Sequence, residues 1–357
     1  NVSETYGIYA SNADNSTYTN NTINDKYYYS IYTYDCSGSI FENNTLYGQL
    51  NAGNCDDCQF LNNFINHEVN QDDSGYGTAI NAENSENIIL SNNNLTAYNT
   101  AIAIYNSNNA FISSNSIKGH IGYFGINMEY CNSSTVDNNN IERTKPYVSN
   151  NEYSWLIYAH EANNSIFSNN SIKYELDQVS YGGNSKGALF AYDSNIENNY
   201  ISFTHYGDCG ANYLISARRS NITDNTLKAY SDNRACNSIY MMYNWGSDNE
   251  QRYTISNNQM SFSTEFGTSS LKGIRLDDAH NRDIYDNIIV NNSDRDADYL
   301  IYNEADNVHI YSNTIEGRFN TVVQNIGDNL ELNNNHFDSN GDDALFFYTE
   351  NIHHYYQ

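Results

Sequence analysis

Three acidic groups carry residue types suited to acid–base or cation chemistry. Gly341-Asp342-Asp343 and Asp277-Asp278, the latter two residues beyond Arg275, each place two carboxyls side by side. Hydrolysis by paired carboxyls needs both groups at a set separation around one bond. Neighbouring residues of a strand point to opposite faces, so Asp277 and Asp278 are not expected to converge. Asp294-Arg295-Asp296-Ala297-Asp298 supplies oxygen ligands of the kind calcium takes, although a solvated acidic loop explains it more simply. Cys55-Asp56-Asp57-Cys58 is a lone C-x-x-C with no second pair to complete a zinc site. None of the nine histidines falls in a recognisable triad, and no glycine-rich phosphate loop is present. No catalytic residue and no metal ligand is assigned, and the chain is expected not to be an enzyme. No cofactor is expected, calcium at the acidic loop being the one weak candidate.

The element that must position these groups is a repeat. The phrase apolar-x-x-Asn-x-apolar recurs thirteen times, as in YTNNTI (18–23), FENNTL (41–46), ISSNSI (112–117), FSNNSI (167–172) and IYSNTI (310–315). Its anchors are Asn21, Asn44, Asn63, Asn93, Asn115, Asn139, Asn170, Asn199, Asn225, Asn258, Asn287, Asn313 and Asn335, separated by 19 to 33 residues. A period of this size marks a stacked solenoid. Thirteen residues before ten of the anchors stands a second apolar residue: Ile8, Ile31, Leu50, Ile80, Ile102, Ile126, Ile157, Ile274, Leu300 and Val322. Leu189, Leu214 and Ile239 are the expected equivalents in the other three repeats. Short alternating apolar runs and the absence of a helical period predict strands. One repeat then makes one coil of a parallel β-helix, with apolar residues stacked inside. The anchor asparagines form a hydrogen-bonded ladder and adopt a left-handed turn conformation.

The phrases GIYASNADNSTYTNNTI (7–23), AIAIYNSNNAFISSNSI (101–117) and GINMEYCNSSTVDNNNI (125–141) resemble the short repeats of right-handed parallel β-helix proteins of the pectate-lyase type. The likeness covers essentially the whole chain. It is nearest in flavour to the Asn- and Tyr-rich adhesin-like, surface and sheath proteins of archaea, methanogens in particular. The resemblance implies an all-β fold: a single-stranded right-handed parallel β-helix of about 14 coils forming one domain over residues 1–357, with no clear capping helix. Glycoside hydrolases of this fold resemble a pattern in which a Gly-Asp-Asp turn is followed by Gly-His-Gly and Arg-Ile-Lys motifs. Gly341-Asp342-Asp343 matches its first piece only. Fold alone does not assign an activity, because this fold hosts lyases, hydrolases, adhesins and structural proteins.

On the coil frame, Cys36 and Cys55 both lie eight residues before consecutive anchors, and Cys209 and Cys236 lie ten and eleven residues after consecutive anchors. Stacking one coil apart suits the Cα separation of a disulfide, so both pairs are expected to be bridged. A Cys55–Cys58 bridge is the competing assignment. Cys58 and Cys131 are left for intermolecular bonds or as free thiols. This pattern, with sequons at Asn1, Asn15, Asn20, Asn43, Asn94, Asn132, Asn163, Asn169, Asn221 and Asn291, points to an oxidising, extracellular, cell-surface location and to glycosylation at some of these sites. At Asn43 and Asn169, each directly before an anchor, a glycan must point outward.

A net charge of −27 argues against nucleic acid and anionic membrane as partners, and no apolar run is long enough to cross a bilayer. The chain opens at Asn1 without methionine or signal sequence, as a processed product would. A coil starts at Tyr6-Gly7-Ile8, and Ala344–Tyr348 begins another near the far end. These uncapped ends, the leftover cysteines and the missing catalytic motifs predict a homopolymer: a structural protein stacking through its ends into a filament, sheath or surface layer. The alternative is an adhesin or carbohydrate-binding β-helix, and less favoured is a polysaccharide lyase or glycoside hydrolase. In the alternative, Tyr76, Tyr147, Tyr153, Tyr181 and Tyr206, on the longest excursions between coils, stack on sugar rings.

Overall fold

The computed structural model describes residues 6–24, 29–67, 77–143, 154–176, 186–205, 211–231, 238–246, 251–264, 271–293, 296–339 and 343–347. The chain divides into two compact units, Asn1–Lys145 with Trp155–Ile172, and Pro146–Ser154 with Lys173–Gln357. All regular structure among the described residues is strand, and by place in the coil the strands fall into three sets of 14, 13 and 13. In both units each coil gives one strand to each of three parallel sheets, the all-β parallel solenoid expected from the repeat. A coil of the first unit runs Thr100–Tyr105, Phe111–Ser113, Ser116–Gly119, and one of the second Leu271–Asp277, Arg282–Tyr285, Ile288–Asn291.

The apolar positions of the phrase explain this division. Ile112, three before its anchor, is buried in the second sheet, and Ile117, two after it, is buried in the third. Their neighbours in register are Leu90 and Val136, and Leu95 and Ile141, so each position makes a continuous inner ladder. The first sheet adds the row Ile8, Ile31, Leu50, Ile80, Ile102, Ile126, Ile157, in register as the constant spacing predicts. In the second unit the matching row is Leu189, Ile215, Met242, Ile274, Ile301, Val323. Leu214, Ile239, Leu300 and Val322, which the sequence suggested for it, are therefore not its members. The distance from this row to the anchor varies in the second unit, so the fixed count misplaces Leu300 and Val322 by one, and Leu214 and Ile239, chosen where that count fails, fall one and three residues short.

The anchors stand in the corner between the second and third sheets. Each inner Asn accepts, through Oδ1, bonds from both the backbone N–H and the Nδ2 of the anchor one coil earlier. Asn93 N and Nδ2 both reach Asn115 Oδ1 at 2.9 Å, and Asn115 N and Nδ2 reach Asn139 Oδ1 at 3.0 and 2.9 Å. The second proton of each Nδ2 goes back to a second-sheet carbonyl, as from Asn115 to Leu90 O at 3.0 Å. The same pattern runs over Asn21, Asn44 and Asn63 and to Asn170 in the first unit, and over Asn199, Asn225, Asn258, Asn287, Asn313 and Asn335 in the second. The left-handed conformation does not fall on the anchor. It falls on the residue before it: Asn20, Asn43, Asn62, Asn92, Ser114, Asn138, Asn169, Asn198, Asp224, Asn257, Asp286, Ser312 and Asn334 all have φ between 50° and 58°. Asn, Asp and Ser bear this conformation at little cost, which leaves the anchor free to turn its amide inward.

Candidate functional site

Inner ladders use up the apolar residues, so chemistry is confined to the outward positions. These are richest on the first sheet, where three positions per strand point away from the inner ladder. In the second unit the outer rows in register are Gly187, Tyr213, Tyr240, Lys272, Tyr299; Phe190, Ser216, Tyr243, Arg275, Tyr302; and Tyr192, Arg218, Trp245, Asp277. Stacking at one-coil spacing turns them into alternating aromatic and cationic layers. Lys272 Nζ lies 5.0 and 5.1 Å from the Tyr240 and Tyr299 ring centres, and Arg275 Cζ lies 5.8 and 5.2 Å from those of Tyr243 and Tyr302. Arg218 sits between Tyr192 and Trp245 in the same way, at 5.6 and 5.3 Å. Such contacts are worth about 0.5–2 kcal/mol each.

Carboxylates close the charge balance. Arg275 meets Asp277 at 3.3 Å and Glu304 at 3.6 Å, and Lys272 meets Asp298 at 3.7 Å. The Tyr243 hydroxyl donates to Asp277 Oδ2 at 2.9 Å, and the Tyr302 hydroxyl donates to Glu304. Burial, then the bonded carboxylate, pushes the Tyr243 phenol up, and the same two causes take Tyr302 to about 12. Burial likewise raises Tyr299. These hydroxyls stay protonated at physiological pH. The surface they build is amphipathic: ring edges, hydroxyls and carboxylates.

In the first unit the same face has a different relief. Its rows in register are Tyr6, Tyr29, Gln49; Tyr9, Tyr32, Asn51, Asn81, Ala103, Asn127, Tyr158; and Ser11, Tyr34, Gly53, Glu83, Tyr105, Glu129, His160. Tyr6, Tyr9, Tyr29 and Tyr32 form a mesh of stacked and edge-on rings 5.0–5.7 Å apart. Phe124, Tyr158 and His160 form another, with centroids 5.0 and 6.0 Å apart. Between these two aromatic clusters lie the shorter Gln49, Asn51, Gly53, Asn81 and Ala103.

The sequence-picked residues distribute as follows. Asp277 belongs to the outer face, whereas Asp278 sits in a left-handed turn (φ 51°) beside His280, so the two carboxyls diverge as their spacing implied. Asp296 pairs with Arg318 at 2.8 Å and Asp298 with Lys272, so the two described carboxylates of this run of three meet cations. Asp294, Arg295, Gly341, Asp342 and the loop tyrosines 76, 147, 153, 181 and 206 lie outside the described residues. Among the described residues there is no group of three or more His, Cys, Asp and Glu able to hold a metal. No helix among them is long and apolar enough to cross a membrane.

Cys36, Cys55, Cys58 and Cys131 are buried free thiols, so the expected Cys36–Cys55 bridge is not formed. Cys36 Sγ donates to Tyr34 O at 3.3 Å, Cys55 Sγ to Gly53 O at 3.1 Å and Cys58 Sγ to Cys36 O at 3.2 Å, with Cys55 and Cys58 neighbours in one turn. The corner turns two residues inward, three apart, so stacking was not the only way for sulphurs to meet. Interaction with the Cys58 thiol lowers the Cys55 thiol to about 7 against the effect of burial. The same interaction and burial push Cys58 up. Burial raises Cys131 to about 11. Cys58 and Cys131 are 0% exposed, which leaves the free thiol of their two expected states and excludes a bond to another chain from this conformation. Cys209 and Cys236 lie outside the described residues. Alkylation of the native protein should spare all four buried thiols, and peptide mapping should show them modified only after denaturation.

Among the sequons, Asn15, Asn20, Asn43, Asn94 and Asn169 are exposed, and Asn132, Asn163 and Asn221 are half-buried. Asn43 and Asn169 point outward as their places required. Asn291 is a poor acceptor: it is 5% exposed and its Nδ2 donates to Arg318 O at 2.6 Å. Asn1 lies outside the described residues.

No family model matches the chain, and no curated protein matches it. Among solved structures it is similar to the Streptococcus pneumoniae surface protein and adhesin PfbA, with 13% identity, 96% of this chain and 92% of that chain covered, and a TM-score of 0.50. It is also similar to the tailspike protein of Escherichia coli bacteriophage HK620, solved with a hexasaccharide, with 10% identity, 93% and 73% of the two chains covered, and a TM-score of 0.47. At such identities the first likeness establishes the parallel β-helix fold, and the second adds no argument.

Proposed function

We propose that this protein is an extracellular, adhesin-type β-solenoid that binds carbohydrate along the outer face of its first sheet. The observation that carries this reading is the composition of that face. Aromatic rings alternate with hydroxyls, amides and carboxylates, the mixture that meets a sugar's apolar C–H face and its ring of hydroxyls. A cell-surface location goes with it, and the same fold serves a surface adhesin in Streptococcus pneumoniae. The filament expected from the sequence has less support. Its cross-linking thiols, Cys58 and Cys131, are buried, and the terminal residues 1–5 and 348–357 lie outside the described residues.

The test is an immobilised glycan set probed with the wild type and with a Tyr105→Ala/Tyr302→Ala variant, one exchange on this face in each unit. At least one glycan should be bound, and the variant should bind it tenfold more weakly or worse. Undiminished binding would move the site off this face, and silence across the set would end the reading.

A further inference from the structure

The last outer row of the second unit's first sheet holds a cation with nothing to neutralise it. Arg219, Arg252, Lys272, Arg275 and Arg318 each lie against a carboxylate. Arg218 meets none among the described residues, although the chain carries 43 acidic residues against 16 lysines and arginines. Asp193 is held by Arg219 at 2.6 Å, and Asp277, two rungs on in the row of Arg218, is taken by Arg275 and the Tyr243 hydroxyl. The Arg218 Nε is buried without a partner, whereas Nη1 and Nη2 are open to solvent and donate to no described residue. A guanidinium whose two-pronged end is free is matched by a carboxylate, which it binds through two parallel bonds.

Its position is fixed by rings on both sides. Tyr192 and Trp245 precede and follow Arg218 in register, and their rings lean together edge-on, 5.5 Å apart at 84°. Arg218 Cζ stands 5.6 and 5.3 Å from the two ring centres, so the three groups close a triangle. Gly246, the residue after Trp245, has φ of 75°, and a Cβ there would stand 2.9 Å from Arg218 Cγ and 3.0 Å from its Nε. The missing side chain leaves the arginine room to lie along the corner. Of the chain's two tryptophans, Trp155 is buried and Trp245 is half-buried in this cluster. Tryptophan, tyrosine and arginine gathered at one surface point are the side chains that most often carry binding energy.

The rest of the row sets how much charge a ligand can bring. It runs Tyr192, Arg218, Trp245, Asp277, so no second cation stands on a neighbouring rung and an acid stands two rungs on. A polyuronate, with a carboxylate on every sugar, would set its next charges against a ring or against Asp277. A glycan with one carboxylate avoids this, and the chain's net charge of −27 is screened over about 8 Å at physiological salt. We infer that Arg218, Tyr192 and Trp245 form a subsite for one carboxylated pyranose, a sialic acid or a uronate, at the end of a glycan chain. The carboxylate accepts from Nη1 and Nη2, and the apolar face of the pyranose lies against the aromatic pair. This rests on the carbohydrate-binding reading and adds to it a place and a ligand class.

The test titrates the full chain, by calorimetry, with lactose, lactose capped by sialate, lactose capped by glucuronate, and a hexagalacturonate. At least one capped lactose should bind tenfold more tightly than lactose or better, and which one does so tells a sialate source from a uronate one. The hexagalacturonate should bind no more tightly than that ligand. Methyl esterification of the capping carboxylate should return the affinity to that of lactose, a readout independent of how any variant folds. Arg218→Gln should do the same, whereas Lys228→Gln, which removes one charge from a third-sheet strand, should leave the affinity within twofold. Equal binding of capped and uncapped lactose, or of acid and ester, overturns the subsite while leaving carbohydrate binding in place. So does wild-type affinity in a folded Arg218→Gln variant. Tighter binding of the hexagalacturonate overturns the singly charged ligand. No binding of any probe overturns the subsite, and the broader reading then stands or falls on the immobilised set.

Discussion

Exchange of Asn115 for leucine should cost about 3–5 kcal/mol of unfolding free energy, although the two side chains are close in size. Asn115 Oδ1 accepts from Asn93 N and Nδ2, and its own Nδ2 donates to Leu90 O and Asn139 Oδ1, all at 2.9–3.0 Å inside the coil. Leucine removes all four bonds and leaves the Asn93 N–H and the Leu90 carbonyl without a side-chain partner. Each buried group so stranded costs about 1–3 kcal/mol, and side-chain chains of this kind lose mutual polarisation as well. The control is Asn94→Ala, one coil earlier and one residue past its anchor. Asn94 is exposed in the strand Asn94–Ala97, and the exchange should stay within about 0.5 kcal/mol. Urea or thermal unfolding of the two variants checks both. Equal small losses would mean that the ladder contributes little.

Gly119→Ala should cost about 3 kcal/mol or more, for a reason that lies in the backbone. Gly119 ends the third-sheet strand Ser116–Gly119 with φ of 134°, a region essentially closed to residues with a Cβ. A Cβ there would stand 2.3 Å from the Ala97 carbonyl oxygen and 3.0 Å from its nitrogen, and neither belongs to a flexible side chain. Strain and overlap therefore add. Their relief would have to break the pairing of Ala97 with Gly119. A fall in melting temperature with retained strand signal in circular dichroism is the expected result, and an unshifted melting curve would mean that the coil yields here.

The inner half of the molecule was legible because its signals are local. In ISSNSI the apolar residues at −3 and +2 and the Asn between them lie within six positions, and these three contacts recur in every coil. The left-handed residue was misassigned to the anchor, although the position before it is Asn, Asp or Ser in all thirteen repeats, a pattern the sequence already displayed. The outer rows were not legible for a different reason. Tyr213, Tyr240, Lys272 and Tyr299 are separated by 27 to 32 residues, and their alignment depends on how many residues each intervening coil spends at its corners. A count back from the anchor misplaces Leu300 by one: Leu300 is buried too, but Ile301 is the residue in register with Ile274 and Val323. The tyrosines of the long excursions, which the sequence also singles out, lie outside the described residues. The cysteines failed similarly: the coil frame set Cys36 beside Cys55 and ranked that bridge above Cys55–Cys58, and neither bridge is formed.

The asparagine ladder has a direction, since in each unit every Asn-to-Asn bond runs from the donors of one anchor to the Oδ1 of the anchor in the following coil. It also ignores how many residues lie between rungs: 19 residues join Asn44 to Asn63 and 33 join Asn225 to Asn258, with donor–acceptor distances of 3.0 and 3.1 Å alike. The molecule in effect measures itself in turns rather than in residues. A foreign segment spliced into an excursion, or an excursion trimmed, leaves that tally untouched, whereas a deletion within the strands of a coil is tolerated only if it removes the whole turn together with its asparagine. The scaffold can therefore change what it displays without renegotiating how it stands.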